Sequence, residues 1–417
     1  MSVASSSSSN DNSVDLILLF TSRITRSLAA GALAVAIPLY FYDVLHYSYL
    51  LVGILFAGGA FASPILSYIF GLLGDLYGRR DVLLVGSSIL PIAVIILLLT
   101  RSYPLLFIST TLGGFGIAGG LVGGGVGAFV SPMQMALLAE KSHKENRTTV
   151  YTAFTMFSNI AGSLGALVLV VLSNYETIFF IALIFTILSV FSVIPIKEKF
   201  KPQPRKEKKN IFKSGNITSQ DRNIIKKFVL TGIFNGLTQG LVTPFLPIIM
   251  HQNFKLSDAA VGVVVSIGGI LTTIMMTGTP YLTKKLGFVN FIIISRLISA
   301  IFVFYFPFAP SVIIMVSAYF IFTISRAMSI PSQLSLMMTL VSERARSEAT
   351  GTNQAARLFP MAISTTFSGD ILDSLPLYAS FALAFVVSLV NLALYQIFFG
   401  RMDLDEKESP AKNVAGQ

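Results

Sequence analysis

The chain has 417 residues, of which 53% are hydrophobic and only 12% charged, and it carries a formal net charge of +10. A soluble globular protein carries about 25% charged residues, and a disordered chain needs low hydrophobicity with high charge, so both classes are excluded. Cysteine is absent, which removes disulfides, thiolate chemistry and cysteine-ligated metal sites.

Residues 1–15, MSVASSSSSNDNSVD, are polar, lack the basic start of a signal sequence and read as a disordered tail. Twelve apolar runs follow, over 16–41, 49–71, 81–100, 104–139, 149–173, 177–195, 224–250, 259–280, 288–308, 311–339, 348–369 and 376–399. A helix crosses a bilayer in about 20 residues, whereas barrel strands need only about 10 with strict alternation. The expected fold class is an all-α membrane protein of twelve transmembrane helices. The expected division is a tail (1–15), a six-helix bundle (16–195), a basic linker (196–223), a second six-helix bundle (224–400) and a tail (401–417).

Lysine and arginine set the orientation, because positive loops stay on the cytoplasmic side. With the N-terminus inside, 23 of the 30 fall in inner loops and tails, two (Arg101 and Lys255) in outer loops and five within spans. The net charge is thus a topology signal, and no nucleic-acid partner is expected. The basic middle loop can also touch anionic lipid. The expected location is the cell (plasma) membrane, multi-pass, with both termini cytoplasmic.

The two halves repeat each other. At an offset of 209, Pro38 matches Pro247, Val52-Gly53 matches Val261-Gly262 and Gly78 matches Gly287. At an offset of 199, Pro132-Met133-Gln134 matches Pro331-Ser332-Gln333, and Arg147 matches Arg346. Two pseudo-symmetric six-helix bundles are a transporter design, with substrate bound between the halves near the midplane. Span 4 holds nine glycines over 113–127. Such a run disfavours a straight helix, and it fits either close packing of small residues or a hinge.

Between spans 2 and 3 stands G-L-L-G-D-L-Y-G-R-R, residues 71–80, and a partial echo, G-T-P-Y-L-T-K-K-L-G-F, follows span 8 at 278–288. The first resembles the signature loop of the major facilitator superfamily, G-x-L-x-D-x-x-G-R-R/K, with Leu76 where a basic residue is usual. The resemblance covers essentially residues 14–400. It implies that Gly71, Asp75, Gly78, Arg79 and Arg80 form a gating motif that latches the inner ends of the halves, near the start of span 11. Physically, Gly71 and Gly78 permit close helix approach and a tight turn, and Asp75 suits a helix N-terminus or a nearby arginine such as Arg147. Two other family patterns are missing. Thr110 or Thr111 stands near the place of the span 4 arginine, and span 5 has Gly162-Ser163 where the antiporter pattern has Gly-Pro.

The same resemblance implies that spans 1, 4, 7 and 10 line the central cavity. The polar groups placed there are Arg26, Asn235, Gln239 and Arg326, with Arg357 approaching from span 11. Unpaired guanidinium groups in a wet cavity would attract a carboxylate or phosphate; the competing role is structural, with each arginine capping backbone carbonyls or bonding Gln and Asn neighbours. Arg23 is expected to snorkel, Arg296 to pack or snorkel, and Gln134 and Gln333 to bond between helices. No carboxylate sits mid-span, so a proton relay would have to use an end group such as Asp43 or Asp370.

No G-x-x-x-x-G-K-[ST], nucleophile elbow or zinc spacing occurs. No enzymatic activity, catalytic residue, cofactor or metal is therefore expected. The expected function is secondary active transport of a small solute by alternating access, with efflux of drug-like or organic compounds as the leading reading. The alternatives are a carrier of an anionic metabolite and a non-transporting sensor. The expected partners are a small-molecule substrate, membrane lipid and a coupling ion that the sequence does not identify as a proton; the chain is expected to be a monomer.

Overall fold

The computed structural model describes residues 3–115, 127–142, 146–198, 218–342 and 345–400. The linker over 199–217, the tail over 401–417 and most of the glycine run (116–126) lie outside the described residues. Each of the twelve apolar runs is helical over most of its described part, and the described residues contain no strand. The first six runs form α1 (Val3–Leu39), α2 (Tyr49–Tyr77), α3 (Arg79–Leu99), α4 (Tyr103–Gly113) with α5 (Ser131–Lys141), α6 (Arg147–Ala166) with α7 (Val168–Val171), and α8 (Tyr175–Phe191). The second six form α9 (Ser219–Val242) with α10 (Leu246–Phe254), α11 (Asp258–Met276) with α12 (Thr279–Leu286), α13 (Phe288–Tyr305), α14 (Val312–Leu340), α15 (Arg346–Ser374) and α16 (Tyr378–Phe399). Among the described residues, nine helical segments are long and apolar enough to cross a membrane. The protein is an all-α membrane protein.

Proline explains the breaks. Pro38 near the end of α1 is followed by a π-helical turn over Tyr40–Val44, and Pro244 lies in the 3₁₀ turn between α9 and α10. Proline donates no N–H and crowds the preceding turn, so the helical ladder must shift there. The helix of the first span begins at Val3, well before the apolar stretch that predicts it. Asp15, within the stretch that composition reads as a disordered tail, is buried and ion-paired to Lys141. Composition misses this because a polar residue reads as solvent-facing until its partner is known.

The chain forms two compact units, Met1–Lys209 with Thr243–Ile270, and Asn210–Val242 with Leu271–Gln417. Residues 243–270 belong to the second sequence repeat yet pack with the first unit.

The repeat is also visible in contacts within each unit. Gly78 joins α2 to α3 at φ +106°, and Gly287 joins α12 to α13 at φ +88°, a backbone region that side chains disfavour. Arg147 opens α6 and donates to the Ala139 carbonyl, while Arg346 opens α15 and donates to the Met338 carbonyl. A Cβ on Gly31 would lie 1.7 Å from the Gly162 carbonyl oxygen, and one on Gly240 would lie 2.3 Å from that of Met361. The two offsets that align the halves carry Gly31 onto Gly240 and Gly162 onto Met361. The same backbone-to-backbone approach, α1 against α6 and α9 against α15, is therefore built twice.

Candidate functional site

In the second unit, three of the five candidate cavity residues meet. Asn235 and Gln239 lie one turn apart on α9 and so share a face. Arg326, midway along α14, donates from Nη2 to Asn235 Oδ1 at 2.8 Å, to the Asn235 carbonyl at 3.3 Å and to Gln239 Oε1 at 3.3 Å. All these acceptors are neutral. Arg357 lies on α15, where that helix packs closest to α9: a Cβ on Gly236 would come within 2.0 Å of its carbonyl oxygen. Its Nε is buried without a hydrogen-bond partner among the described residues. Arg296 and Arg357, both cations, are among the charges near Arg326. Among the described residues no carboxylate forms an ion pair with Arg326 or Arg357.

Arg26, in the first unit, is 3% exposed. Its Nη2 donates to Gln134 Oε1 at 2.6 Å, and its Nη1 is buried without a hydrogen-bond partner among the described residues. The repeat offsets place Arg26 at the position of Asn235 and Gly127 at the position of Arg326. A Cβ on Gly127 would lie 3.6 Å from Arg26 Cδ. Each unit thus holds one guanidinium at this location, supplied by its first helix in one unit and its fourth in the other.

Of two further arginines, Arg23 departs from its expected role and Arg296 takes one of the two expected for it. Arg23 does not snorkel: it donates to Ser158 Oγ at 2.7 Å and to Ser131 Oγ at 3.3 Å. Arg296 is 8% exposed and spans three helices, bonding Asn391 on α16 at 2.6 Å and Gln333 and Ser329 on α14. It also stacks over Tyr395 at 4.7 Å. Those bonds satisfy its guanidinium and make it a packing group. Gln134 and Gln333 bond between helices as expected.

The 71–80 motif is tied down by residues the sequence did not single out. Asp75 lies in the last turn of α2. Gly78 makes the tight turn, but a Cβ on Gly71 would meet nothing within 4 Å among the described residues, so no close approach is seen there. Glu198, just after the sixth span, accepts from Arg79 N at 2.8 Å and Arg80 N at 2.9 Å. It thereby caps the positive N-terminus of α3, whose first N–H groups have no helical partner. Arg80 donates to the Ile194 carbonyl and to Asp81 Oδ1. Arg147, suggested as a partner for Asp75, donates to Ala139 O at 2.9 Å. The only advance signal for Glu198 is that it is an anion inside an otherwise basic stretch.

The family model described as "Major Facilitator Superfamily" matches residues 19–365 and 228–416. No curated protein matches the sequence. Among solved structures, the nucleoside transporter NupG aligns with a TM-score of 0.70 at 13% identity, over 93% of this chain and 99% of that one. The human organic anion transporter MFSD10 aligns at 0.66 and 15% identity, over 92% and 99%. A POT family transporter in complex with 5-aminolevulinic acid aligns at 0.74 and 14% identity, over 93% and 95%.

Proposed function

The chain belongs to the major facilitator superfamily, and from that membership we propose that it moves a small organic solute by alternating access and holds an anionic group of that solute at Arg326. The observation that carries the reading is the bonding of Arg326. Its guanidinium is seated on the amides of Asn235 and Gln239, the cations Arg296 and Arg357 are among the charges near it, and no described carboxylate pairs with it. A guanidinium within the membrane is costly unless paired or wet, and a carboxylate satisfies it bidentately. A solute gradient or a coupling ion supplies the energy. The test compares a carboxylate with its neutral amide on the purified protein. The carboxylate should raise the melting midpoint by mass action and the amide should not. Equal stabilisation by both favours the reading of amphiphile efflux instead.

The same proposal places the chain as a monomer in the cell membrane with both termini in the cytoplasm, as the distribution of lysine and arginine requires. A tag inserted between residues 200 and 215 should be reached only from the cytoplasm and one near Asp258 only from outside. Access to both from one side overturns the orientation.

The 71–80 loop gates the inner side. Asp75→Asn removes a charge that latches the loop to the N-terminus of a neighbouring helix, worth about 1 kcal/mol, and it should shift the protein toward the inward-open state. Distances between labels on the inner ends of the two halves should lengthen; distributions identical to wild type remove the gating role.

A further inference from the structure

We propose that Asp43, His251 and Asp258 form a binding site for a divalent transition-metal ion of the zinc class. The residues come from three elements: the π-helical turn that ends α1, helix α10 and the first residue of α11. All three belong to the first unit, yet Asp43 comes from the first sequence repeat and the other two from the second. One ligand atom from each lies within 4.8 Å of the other two. His251 Nδ1 is 3.0 Å from Asp258 Oδ1, and His251 Nε2 is 3.7 Å from Asp43 Oδ2.

The orientation of the carboxylates makes this more than a cluster of charges. Gln252 Nε2 donates to Asp43 Oδ1 at 2.8 Å, and Tyr175 Oη donates to Asp258 Oδ2 at 2.5 Å. Each bond occupies one carboxylate oxygen and turns the other toward the imidazole. Asp43 Oδ2, Asp258 Oδ1 and His251 Nδ1 are the atoms turned toward the middle of the cluster: each is shielded from solvent, and Nδ1 and Oδ1 already face each other at 3.0 Å. Carboxylate ligands of metal ions are held in this way by hydrogen bonds from surrounding groups. Their side chains remain 22%, 30% and 32% exposed for Asp43, His251 and Asp258, so an ion can reach the site from solution.

With the imidazole in its neutral, ligating form, the three side chains carry two negative charges, which a divalent ion offsets. One imidazole nitrogen with two carboxylate oxygens suits zinc better than magnesium or calcium, which favour all-oxygen sets. Zinc bonds of about 2.0–2.2 Å put ligand atoms roughly 3.5 Å apart, so the longest present separation has to close by little more than 1 Å. A bound ion would clamp the outer ends of the two repeats together. That consequence rests on the transport reading, whereas the site itself does not.

The test uses the full-length protein, purified and stripped with a chelator, and Zn²⁺ alone as the probe in titration calorimetry. Wild type should bind one Zn²⁺ per chain saturably, with Mg²⁺ failing to compete. His251→Gln and Asp258→Asn should each weaken binding more than about 10-fold, and Tyr175→Phe and Gln252→Ala, which leave every ligand in place, about 10-fold. Absence of saturable Zn²⁺ binding by wild type overturns the proposal, as does equal affinity in wild type and His251→Gln. If His251→Gln fails to fold, undiminished affinity in both Tyr175→Phe and Gln252→Ala overturns it.

Discussion

Lys141→Met is expected to lower the stability of the protein by about 3–5 kcal/mol, the range for breaking a buried ion pair from one side. The Lys141 side chain is 1% exposed and that of Asp15 is 5% exposed, with Nζ 2.8 Å from Asp15 Oδ2. Nζ also donates to the Lys197 carbonyl, and Asp15 Oδ1 accepts from Lys197 N at 3.4 Å. The pair thus joins α1, the end of α5 and the segment after α8. Removing the ammonium leaves a buried carboxylate without its counter-charge, and the carbonyl loses its donor as well. The double variant Asp15→Leu with Lys141→Met removes both charges and should recover most of the loss, because an apolar replacement of a buried pair is often neutral. Arg80→Gln gives the contrast. Its pairing with Asp81 at 2.6 Å is 28% and 64% exposed, and exposed pairs contribute about 0–1 kcal/mol. Loss of helical circular dichroism on heating reads all three. A Lys141→Met midpoint equal to wild type contradicts the structural role of the pair.

Arg326→Gln is expected to weaken binding of an anionic solute by about 10–100-fold, since a hydrogen bond to a charged group contributes about 1.5–3 kcal/mol. Affinity for a neutral analogue should change far less, so the preference between the two collapses. Arg326→Lys retains the charge but loses the planar fork and should keep only part of that preference. Stability should not fall in step with binding, because the change removes a half-buried charge that has no described carboxylate partner. This separates a binding role from a structural one. Arg296→Gln is the converse case: its guanidinium bonds three side chains and covers Tyr395, so it should lower stability.

The fold was legible because its signals are long. Apolar runs of bilayer length, the lysine and arginine bias and the duplicated glycines and prolines each extend over many residues. The duplicated contacts of Gly31 with Gly162 and of Gly240 with Met361 give the physical reason the repeat is retained: a side chain at either glycine would push two helix backbones apart. The site was legible only in part. Asn235 and Gln239 could be placed on one face from their spacing, and Arg326 could be placed in a span. That these three touch depends on how α9 and α14 rotate about their axes, which no local pattern encodes. The same holds for Glu198, Asp15 and Lys141. A charge at a span end reads as solvated until the fold supplies its partner, as Glu198 capping α3 and Lys141 meeting Asp15 both show. The glycine at 71 failed in the opposite direction: its residue type permits close approach, but among the described residues nothing lies within 4 Å of where its Cβ would be.

Solute counterflow into liposomes containing the purified protein tests most directly whether this chain carries an anionic solute on Arg326. Vesicles preloaded with an unlabelled carboxylate ligand should accumulate the labelled form, Arg326→Gln should reduce that accumulation at limiting solute by about 10-fold or more, and Arg296-bonded packing should leave the variant correctly folded. Accumulation that is the same in wild type and Arg326→Gln, or that is equal for the carboxylate and its neutral amide, would contradict the anion site, and no accumulation of any solute above protein-free vesicles would contradict transport itself.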